Sequence, residues 1–274
     1  MIGRSMLREL AKHQDLHVIA SVRAAQLSGA FQPARVVTGI DLNNADHLVR
    51  LFGEAKPDVV VNCAGLTKHL PEGSTPVPAI SMNALLPHRL VAHCSMLGAR
   101  LIHVSTDCVF SGRTGNYTES DQPDALDIYG RTKALGEVTG DAAITLRTST
   151  VGHEWGTKFG LLEWFLAQAQ CKGFKHAIFS GLPTVEFARV VRDFVIPDKT
   201  LRGLYHVGAQ AIDKFQLLHL INKVYGRSIQ IEADEVFRID RSLNSGRFSG
   251  ATGYIAAPWP DLVESMYHDH ISAP

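Results

Sequence analysis

The stretch Asp58-Val-Val-Val-Asn-Cys-Ala-Gly65 decides the fold class. Three consecutive valines predict a short strand that is buried on both faces, which is typical of a parallel sheet. A helix-length segment, 79–97, separates this strand from a second apolar run at 100–105. A strand, a helix and a strand in this order form a βαβ unit, so the sequence predicts a parallel sheet with helices packed on it.

Short apolar or β-branched runs alternate with helix-length segments on both sides of this unit. Predicted strands lie at 16–21, 35–38, 58–62, 100–105 and 144–147. Predicted helices lie at 4–12, 44–54, 79–97 and 126–138. Because crossovers between parallel strands are right-handed in nearly all proteins, this order predicts an α/β fold with a Rossmann-like doubly wound parallel sheet over residues 1–150.

Glycine and proline breaks become frequent after residue 151, and the elements between them are shorter. Here the pattern predicts helices at 158–170, 184–195 and 213–225 and a strand at 203–207. We therefore expect a smaller substrate-binding region over residues 151–274, with some of its chain crossing back to the sheet.

The charge of the 274-residue chain is balanced, with 27 Lys and Arg against 27 Asp and Glu and no long basic run. Electrostatic, sequence-independent binding to nucleic acid or to an anionic membrane is therefore not expected. Hydrophobic residues make up 45% of the chain, which is typical of a globular protein and not of a disordered one. No apolar run reaches membrane-spanning length, and the first residues lack the layout of a signal peptide.

Cysteine and histidine usage indicates neither a metal site nor a disulfide framework. The cysteines form no C-x-x-C pair and lie far apart, at Cys63, Cys94, Cys108 and Cys171. This pattern fits a reducing cytoplasm. Only His268 and His270 of the thirteen histidines are close together, without a third ligand at metal-site spacing, so we expect a frayed terminal pair and no metal.

The sharpest chemical signal is Tyr129-Gly-Arg-Thr-Lys133, near the start of a predicted helix. Residues i and i+4 share one helix face, so the phenol and the ammonium point into the same space. A nearby ammonium favours the ionised phenol and lowers its pKa, which makes the pair a tunable proton donor. The alternative is a surface Tyr/Lys pair that arose by chance.

Two strand ends upstream strengthen this signal. The run Ile102-His-Val-Ser-Thr-Asp-Cys-Val-Phe-Ser-Gly112 leads from an apolar strand into Thr106 and Asp107. Doubly wound folds bind ligands at the carboxyl ends of their strands, so a hydroxyl there can bond a substrate carbonyl oxygen and share protons with Tyr129. Small residues at 63–65 let a flat ligand approach the backbone. A strand cap or a turn is the alternative for each segment.

These segments together resemble the extended short-chain dehydrogenase/reductase superfamily, and within it the dTDP-4-dehydrorhamnose reductase-like group. The resemblance lies in S-T-D-x-V-F-x-G at 105–112, in Y-x-E-x-D-x-x-P at 117–123 with one residue of spacing allowed, and in Y-G-x-(S/T)-K at 129–133. It extends over nearly the whole chain. Cys108 stands where the family often has Tyr, which we interpret as a packing difference.

The resemblance implies an NAD(P)H-dependent reductase of a nucleotide-linked 4-keto-6-deoxysugar. A hydride reaches the C4 keto carbon from the cofactor while a proton arrives at the oxygen. In this family Tyr129 would donate the proton, Lys133 would lower its pKa and hold the nicotinamide ribose, and Thr106 would orient the carbonyl. Asp107 would contact the substrate.

The resemblance also implies a cofactor site. Gly3 is similar to the last glycine of the family's G-x-x-G-x-x-G motif, and the adenine and ribose side is expected at Asp41, Leu42, Cys63, Ala64 and Gly65. Arg23 follows the first predicted strand, where an arginine suits the 2′-phosphate of NADP and a carboxylate suits NAD. We expect NADPH, with NADH as the alternative cofactor and a solvated surface side chain as the alternative for Arg23.

The first strand of that domain and the first two glycines of the motif do not precede Gly3. Two explanations are open. We expect that the functional protein begins upstream of Met1, because Thr106, Tyr129 and Lys133 are intact. The alternative is a truncated product that binds a dinucleotide weakly or not at all.

Arg241 and Arg247 lie in a loop-like segment, 240–248, and their guanidinium groups suit a nucleotide diphosphate. A polar surface segment is the alternative. Trp155 and Trp164 are suited to stack on a base or a sugar, although the surrounding pattern first indicates a packed helix face. The expected partners are a nucleotide sugar and a second copy in a homodimer. Rival functions on this scaffold are a nucleotide-sugar epimerase and a non-catalytic subunit of the methionine adenosyltransferase β-subunit type.

Overall fold

The computed structural model describes residues 1–24, 34–68, 70–154 and 157–272. The first part of the chain contains α1 (Ile2–Ala11), β1 (Ile19–Ser21), β2 (Arg35–Val37), α2 (Ala45–Ala55), β3 (Val59–Asn62), α3 (Pro76–Ala79), a π-helical turn (Ile80–Leu85), α4 (Leu86–Leu97), β4 (Arg100–Thr106), α5 (Ile128–Leu135), β5 (Ala143–Thr148) and β6 (Thr150–Val151). The second part contains α6 (Leu161–Leu166), β7 (Gln170–Phe179), β8 (Leu182–Pro183), α7 (Thr184–Val190), a second π-helical turn (Val191–Val195), β9 (Gly203–His206), β10 (Ile212–Asp213), α8 (Lys214–Val224), β11 (Gln230–Asp240), α9 (Gly246–Thr252) and α10 (Trp259–Ile271).

β3, β4, β5 and β9 form a parallel sheet in that order. The two faces of this sheet pack in different hydrophobic cores. Ile102 and Val104 of β4 join a large core shared with the C-terminal helices, whereas Leu101 joins a second core with side chains of α2 and α4. Each fully buried aliphatic side chain stabilises the fold by about 1.5–3 kcal/mol. The valines of β3 are half-buried and pack on both cores, Val59 and Val61 on the large one and Val60 on the second. The parallel sheet confirms the predicted Rossmann-like α/β fold.

β1 and β2 form a separate parallel pair, in which Ser21 lies opposite Val37. The predicted strand at 16–21 is shorter than expected, since only its last residues pair. β9 joins the main sheet beside β5, with Tyr205 opposite Leu146. Part of the chain beyond residue 151 therefore packs as a strand of the first sheet, and the division into two regions near residue 150 stays a prediction.

A second sheet has the order β10-β7-β11, with β7 and β11 parallel and β10 antiparallel to β7. The helix predicted at 158–170 is wrong in extent, because α6 ends at Leu166 and Gln170 already begins β7. The pairing of β7 with β11, which is distant in sequence, overrides the local helical pattern.

Two further expectations for the C-terminal part are wrong. The segment 240–248 is not a continuous loop, because Asp240 ends β11 and Gly246 begins α9. His268 and His270 lie in the last turn of α10 and are not frayed; the His270 ring stacks on His153 with 3.6 Å between ring centroids. No helix in the described ranges is long and apolar enough to cross a membrane.

Candidate active site

Thr106 is the last residue of β4, at the carboxyl end of the parallel sheet, and a 3-10 turn (Asp107–Val109) follows it. The Thr106 hydroxyl accepts a hydrogen bond from the Cys108 backbone N–H (3.1 Å) and donates one to Asp107 Oδ1 (3.1 Å). These bonds hold the hydroxyl at the edge of the sheet where doubly wound folds bind ligands.

α5 brings Tyr129 and Lys133 onto this edge. Asp127 caps the helix by accepting a hydrogen bond from the Gly130 backbone N–H at 2.7 Å. A Cβ on Gly130 would lie only 2.2 Å from the Cys108 carbonyl oxygen. Glycine at this position is therefore what lets α5 lie against the turn that follows β4.

The three predicted catalytic side chains lie together at the end of β4. The half-buried Tyr129 phenol lies within interaction distance of the Thr106 hydroxyl. Lys133 is 5% exposed, and its Nζ donates a hydrogen bond to the Val104 carbonyl oxygen at 2.7 Å. A proton donor, a second hydroxyl and a buried cation thus share one site.

The Tyr129 pKa is raised overall, and not lowered as its pairing with Lys133 predicts. Burial raises the pKa of Tyr129 above its ordinary value and outweighs the Thr106 hydrogen bond, which lowers it. Burial also lowers the pKa of Lys133 to about 8, although the Glu137 charge opposes this shift. Both groups are removed from water, which disfavours the charged form of each. Tyr129 therefore keeps its proton at neutral pH.

The run 83–87 also resembles the family, but no role is predicted for Asn83, which lies in the π-helical turn between α3 and α4 and is 1% exposed. Its side-chain oxygen accepts a hydrogen bond from the Leu66 backbone N–H (2.8 Å), and its Nδ2 donates to the Leu66 carbonyl oxygen (3.0 Å) and to Thr132 Oγ1 (3.3 Å). Asn83 therefore joins the loop after β3 to the helix of the proton donor. A π-helical turn often marks a functional site, and a buried amide inside a predicted helix is the signal that identifies it.

The predicted cofactor residues near β3 lie beside Lys133. A Cβ on Gly3, in the first turn of α1, would lie 3.5 Å from Cys63 Cβ. Burial raises the pKa of the Cys63 thiol to about 12, and the Lys133 charge opposes that shift. Ala64 and Gly65 continue the chain from this strand end. The structure thus brings Gly3 and the small residues after β3 to the lysine side of the site.

Asp41, Leu42 and Arg23 lie at the carboxyl end of the β1–β2 pair. Asp41 Oδ1 accepts a hydrogen bond from the Asn43 backbone N–H at 2.9 Å, and Leu42 packs on the second core. Arg23 is exposed directly after β1. Their hydrogen bonds and ion pairs within the described ranges do not reach the Thr106 and Tyr129 side chains. Their cofactor roles stay predictions.

Of the predicted substrate contacts, Asp107 and Arg241 lie beside the turn that follows β4. Burial raises the pKa of Asp107, and the Arg241 charge opposes that shift. Arg241 Nη1 lies 3.8 Å from Cys108 Sγ. Arg247 instead lies on α9, with its guanidinium carbon 4.9 Å from the centre of the Tyr205 ring. The two arginines therefore have different contacts, and their joint role in binding stays a prediction.

The stacking role expected of Trp155 and Trp164 stays a prediction. Trp164 is 40% exposed, whereas Leu162 and Phe165 form the buried face of α6, so Trp164 is not part of the packed face that the pattern indicated. Trp155 lies outside the described residues. Within the described part of the chain, no three His, Cys, Asp or Glu side chains are grouped so as to hold a metal ion.

Comparison with known proteins identifies relatives that include reductases and a methionine adenosyltransferase subunit. The dTDP-4-dehydrorhamnose reductase of Burkholderia thailandensis is 36% identical over 124 residues, which cover 43% of this chain and 42% of that protein. The methionine adenosyltransferase 2 subunit beta of Rattus norvegicus is 34% identical over 137 residues, which cover 50% of this chain and 39% of that protein. The chain spans less than two thirds of the length of the curated relatives it matches.

A solved structure confirms the fold. The dTDP-4-dehydrorhamnose reductase of Bacillus anthracis, in complex with NADP, superposes with a TM-score of 0.76 at 19% identity, covering 92% of this chain and 99% of that one. The family model described as RmlD substrate binding domain matches residues 1–233. The match covers most of the chain, and the chain therefore belongs to the RmlD substrate binding domain family.

Proposed function

We propose that this chain is a nicotinamide-nucleotide-dependent reductase that converts the 4-keto group of a nucleotide-linked 6-deoxysugar to a hydroxyl. The observation that carries the proposal is the meeting of the Thr106 hydroxyl, the protonated Tyr129 phenol and the buried Lys133 ammonium at the end of β4. Family membership and the reductase among the relatives support the same reaction class.

Reduction of a ketone adds a hydride to carbon and a proton to oxygen. The site residues suit the transfer of the proton to the oxygen. The raised pKa of Tyr129 keeps this donor protonated at neutral pH. The Thr106 hydroxyl, which now donates to Asp107, rotates to give the carbonyl oxygen a second hydrogen bond. When the proton passes from Tyr129 to the substrate oxygen, the positive charge of Lys133 stabilises the phenolate that is left.

The Lys133 side of the site fits a nicotinamide nucleotide, which supplies the hydride when it is bound. An ammonium has three N–H donors, and Lys133 uses one of them on Val104, so the other two suit ribose hydroxyls. Gly3 and the small residues at 63–65 would hold the phosphates and the ribose close to the backbone. Arg23 is exposed and forms no ion pair with a described residue, which supports NADPH over NADH.

The direct test follows NADPH absorbance in the presence of dTDP-linked 4-keto-6-deoxysugars. We expect oxidation of NADPH that requires the sugar nucleotide and yields a product with a new hydroxyl at C4. An epimerase would interconvert sugars without net consumption of NADPH. A non-catalytic subunit of the methionine adenosyltransferase β-subunit type would bind a partner protein without turnover. Either of these outcomes would contradict the reductase.

We also propose that two copies of the chain associate. Three apolar side chains are exposed on or beside α3 and α5, which contact each other. Val77 of α3 is 78% exposed, Leu126 just before α5 is 69% exposed, and Leu135 at the end of α5 is 65% exposed. Exposed apolar side chains on neighbouring elements are typical of an interface between proteins.

A further inference from the structure

A row of buried polar side chains crosses the parallel sheet beneath the helix that carries Tyr129. Ser105 of β4 lies opposite Arg147 of β5, and Arg147 lies opposite His206 of β9. Residues that are paired across neighbouring strands lie on the same face of a sheet, and all three are buried. Buried polar groups need hydrogen-bond partners, and a buried cation needs a counterion. A residue that brings negative charge must therefore complete this row.

Glu137, two residues beyond the end of α5, is that residue. Its Oε1 accepts hydrogen bonds from Ser105 Oγ and from Arg147 Nε, each at 2.7 Å, and its Oε2 accepts one from Arg147 Nη2 at 2.7 Å. Only 3% of the Arg147 side chain and 9% of the Glu137 side chain are exposed. Two parallel bonds between a guanidinium and a carboxylate fix the direction of both groups as well as their distance. Glu137 therefore anchors the end of α5 to β4 and β5 together.

The other contacts of Arg147 are with uncharged groups. Its Nη1 donates a hydrogen bond to His206 Nε2 at 3.2 Å, and its guanidinium carbon lies 4.9 Å from the centre of the Phe110 ring. Burial and the Arg147 charge lower the pKa of His206 to about 4, so the imidazole is neutral and its Nδ1 donates to the Tyr117 carbonyl oxygen at 3.0 Å. Within the described ranges, Glu137 is thus the counterion of Arg147.

Glu137 also lies close to Lys133, which is four residues earlier in the chain. The Glu137 backbone N–H donates to the Ala134 carbonyl oxygen at 3.2 Å, so the helical turn continues as far as Glu137. Residues four apart on a helical turn are neighbours on one face. The Glu137 charge accordingly acts on Lys133 and opposes the effect of burial on its pKa.

The other titratable groups around Lys133 carry no charge at neutral pH. Burial raises the pKa of the Cys63 thiol, directly after β3, to about 12. Burial lowers the pKa of His103, on β4, well below its ordinary value. Tyr129, on α5, keeps its proton. Among the described residues whose charges act on Lys133, Glu137 is therefore the one that is ionised at neutral pH.

We propose that Glu137 is a positioning residue, which with Arg147 fixes the end of α5 to the sheet and holds a negative charge beside Lys133, so that the lysine keeps its positive charge in a buried site. This assignment rests on the proposed function, because it takes the charge of Lys133 to stabilise the Tyr129 phenolate. A carboxylate near a cation favours the charged form of that cation. Arg147 is part of the arrangement, because without it Glu137 would be an unpaired buried charge.

Glu137→Gln tests the assignment, since it removes the charge and keeps a side chain of the same shape. The titration of Lys133 is measured without turnover, by NMR of the full chain with isotope-labelled lysine Cε carbons, and Lys133→Arg identifies the signal. Removal of the carboxylate should move the midpoint of this titration from about 8 to a pH about one unit lower. The fall of kcat/KM with pH should move equally, so that kcat/KM is about fivefold below the wild type at about pH 8 and equal to it at about pH 6.

Two further variants separate the loss of charge from a loss of folding. Glu137→Gln combined with Arg147→Met leaves no unpaired cation, and it should shift the Lys133 titration as the single variant does. The matched control is Glu9→Gln in α1, because the Glu9 side chain is 3% exposed and accepts a hydrogen bond from Arg192 Nη1 at 3.0 Å. This control loses a buried carboxylate of the same kind and should keep the wild-type Lys133 titration and pH profile.

An unchanged Lys133 midpoint in both Glu137 variants would overturn the assignment, and so would a loss of activity that is equal at every pH. The NMR measurement does not require turnover, which separates this question from the reductase itself. A lower Lys133 midpoint in a protein that oxidises no NADPH would contradict the reductase and support the role of Glu137. Turnover by the double variant with a wild-type pH profile would support the reductase and contradict the role of Glu137.

Discussion

Tyr129 and Lys133 are both protonated at neutral pH, as the proposed reaction requires, but not for the reason that their spacing predicts. Burial raises the pKa of Tyr129 and lowers that of Lys133 to about 8. The spacing correctly places the two side chains on one helix at one site. It cannot predict the loss of water around them, because that depends on β4 and on the turn that α5 packs against.

The pH dependence of the reaction should report Lys133. Above about pH 8 this residue loses its proton, and the positive charge that stabilises the Tyr129 phenolate disappears. We therefore predict that kcat/KM falls as the pH rises through about 8, whereas the ionisation of Tyr129 lies too high to contribute. The measurement is a pH profile of kcat/KM for the wild type and for Lys133→Arg. The guanidinium of the variant stays charged, so its kcat/KM should not fall near pH 8. A wild-type profile that is flat up to about pH 9.5 contradicts this role for Lys133.

Residues that act through distant contacts are the ones that the sequence does not reveal. Thr106 and Tyr129 belong to short motifs and are placed correctly. Asn83 joins Leu66 to Thr132. This relation leaves no local pattern, because Leu66 and Thr132 come from other segments of the chain.

α5 can serve the site because of one small residue. Gly130 has no side chain where it meets the Cys108 carbonyl oxygen, and Gly136 meets the Asn83 carbonyl oxygen in the same way, with a Cβ there only 1.9 Å away. The glycine in Tyr129-Gly-Arg-Thr-Lys133 therefore lets the helix pack against the turn after β4. Gly136 does the same for the segment that contains Asn83.

Substitution of Gly130 tests this packing. Gly130→Ala should lower the free energy of unfolding by about 1–3 kcal/mol, because the methyl group pushes α5 away from the turn after β4. It should also lower kcat/KM about 100-fold, because a shift of about 1 Å misplaces Tyr129. Urea denaturation and steady-state kinetics measure the two effects.

The matched control is Gly53→Ala in α2, where a Cβ would have no neighbour within 4 Å. This substitution should raise the free energy of unfolding by about 0.5–1 kcal/mol, since alanine favours a helix. Equal effects of the two substitutions would show that the contact of Gly130 with Cys108 does not matter.

Elements of the first half are predicted better than those of the second. The strands around the valine run have apolar residues that face two cores, so their pattern is strong even without knowledge of the sheet. β11 carries many charged and exposed residues, and its register with β7 shifts between Asp234 and Arg238. β11 is stabilised by its hydrogen-bonded pairing with β7 and is mostly exposed. Its sequence therefore lacks the alternation of apolar and polar residues from which a strand is predicted.

At the scale of the whole molecule, the parallel sheet brings its strand ends together and the second part of the chain covers them. Thr106, Lys133 and the small residues after β3 come from the first part, whereas Arg241 comes from the second. The residues proposed for proton transfer therefore lie in the first part of the chain.

Self-association is tested by analytical ultracentrifugation. We expect a species of twice the 29.9 kDa chain mass. Leu135→Glu should give monomers, because a buried charge without a partner destabilises an apolar interface. Val236→Glu, at a position that is 88% exposed on β11, should leave the dimer intact. A single 29.9 kDa species for the wild type at every concentration contradicts the proposed dimer.

The most direct measurement is NADPH oxidation by Tyr129→Phe with a dTDP-linked 4-keto-6-deoxysugar, together with NADPH binding by the same variant. The conservative control is Tyr267→Phe on α10, where the ring contacts Tyr225 away from the catalytic side chains. We predict that loss of the Tyr129 hydroxyl lowers kcat about 10²–10⁴-fold and leaves the Kd for NADPH unchanged, while the control keeps wild-type activity. A Tyr129→Phe variant that retains kcat within about threefold of the wild type would contradict Tyr129 as the proton donor.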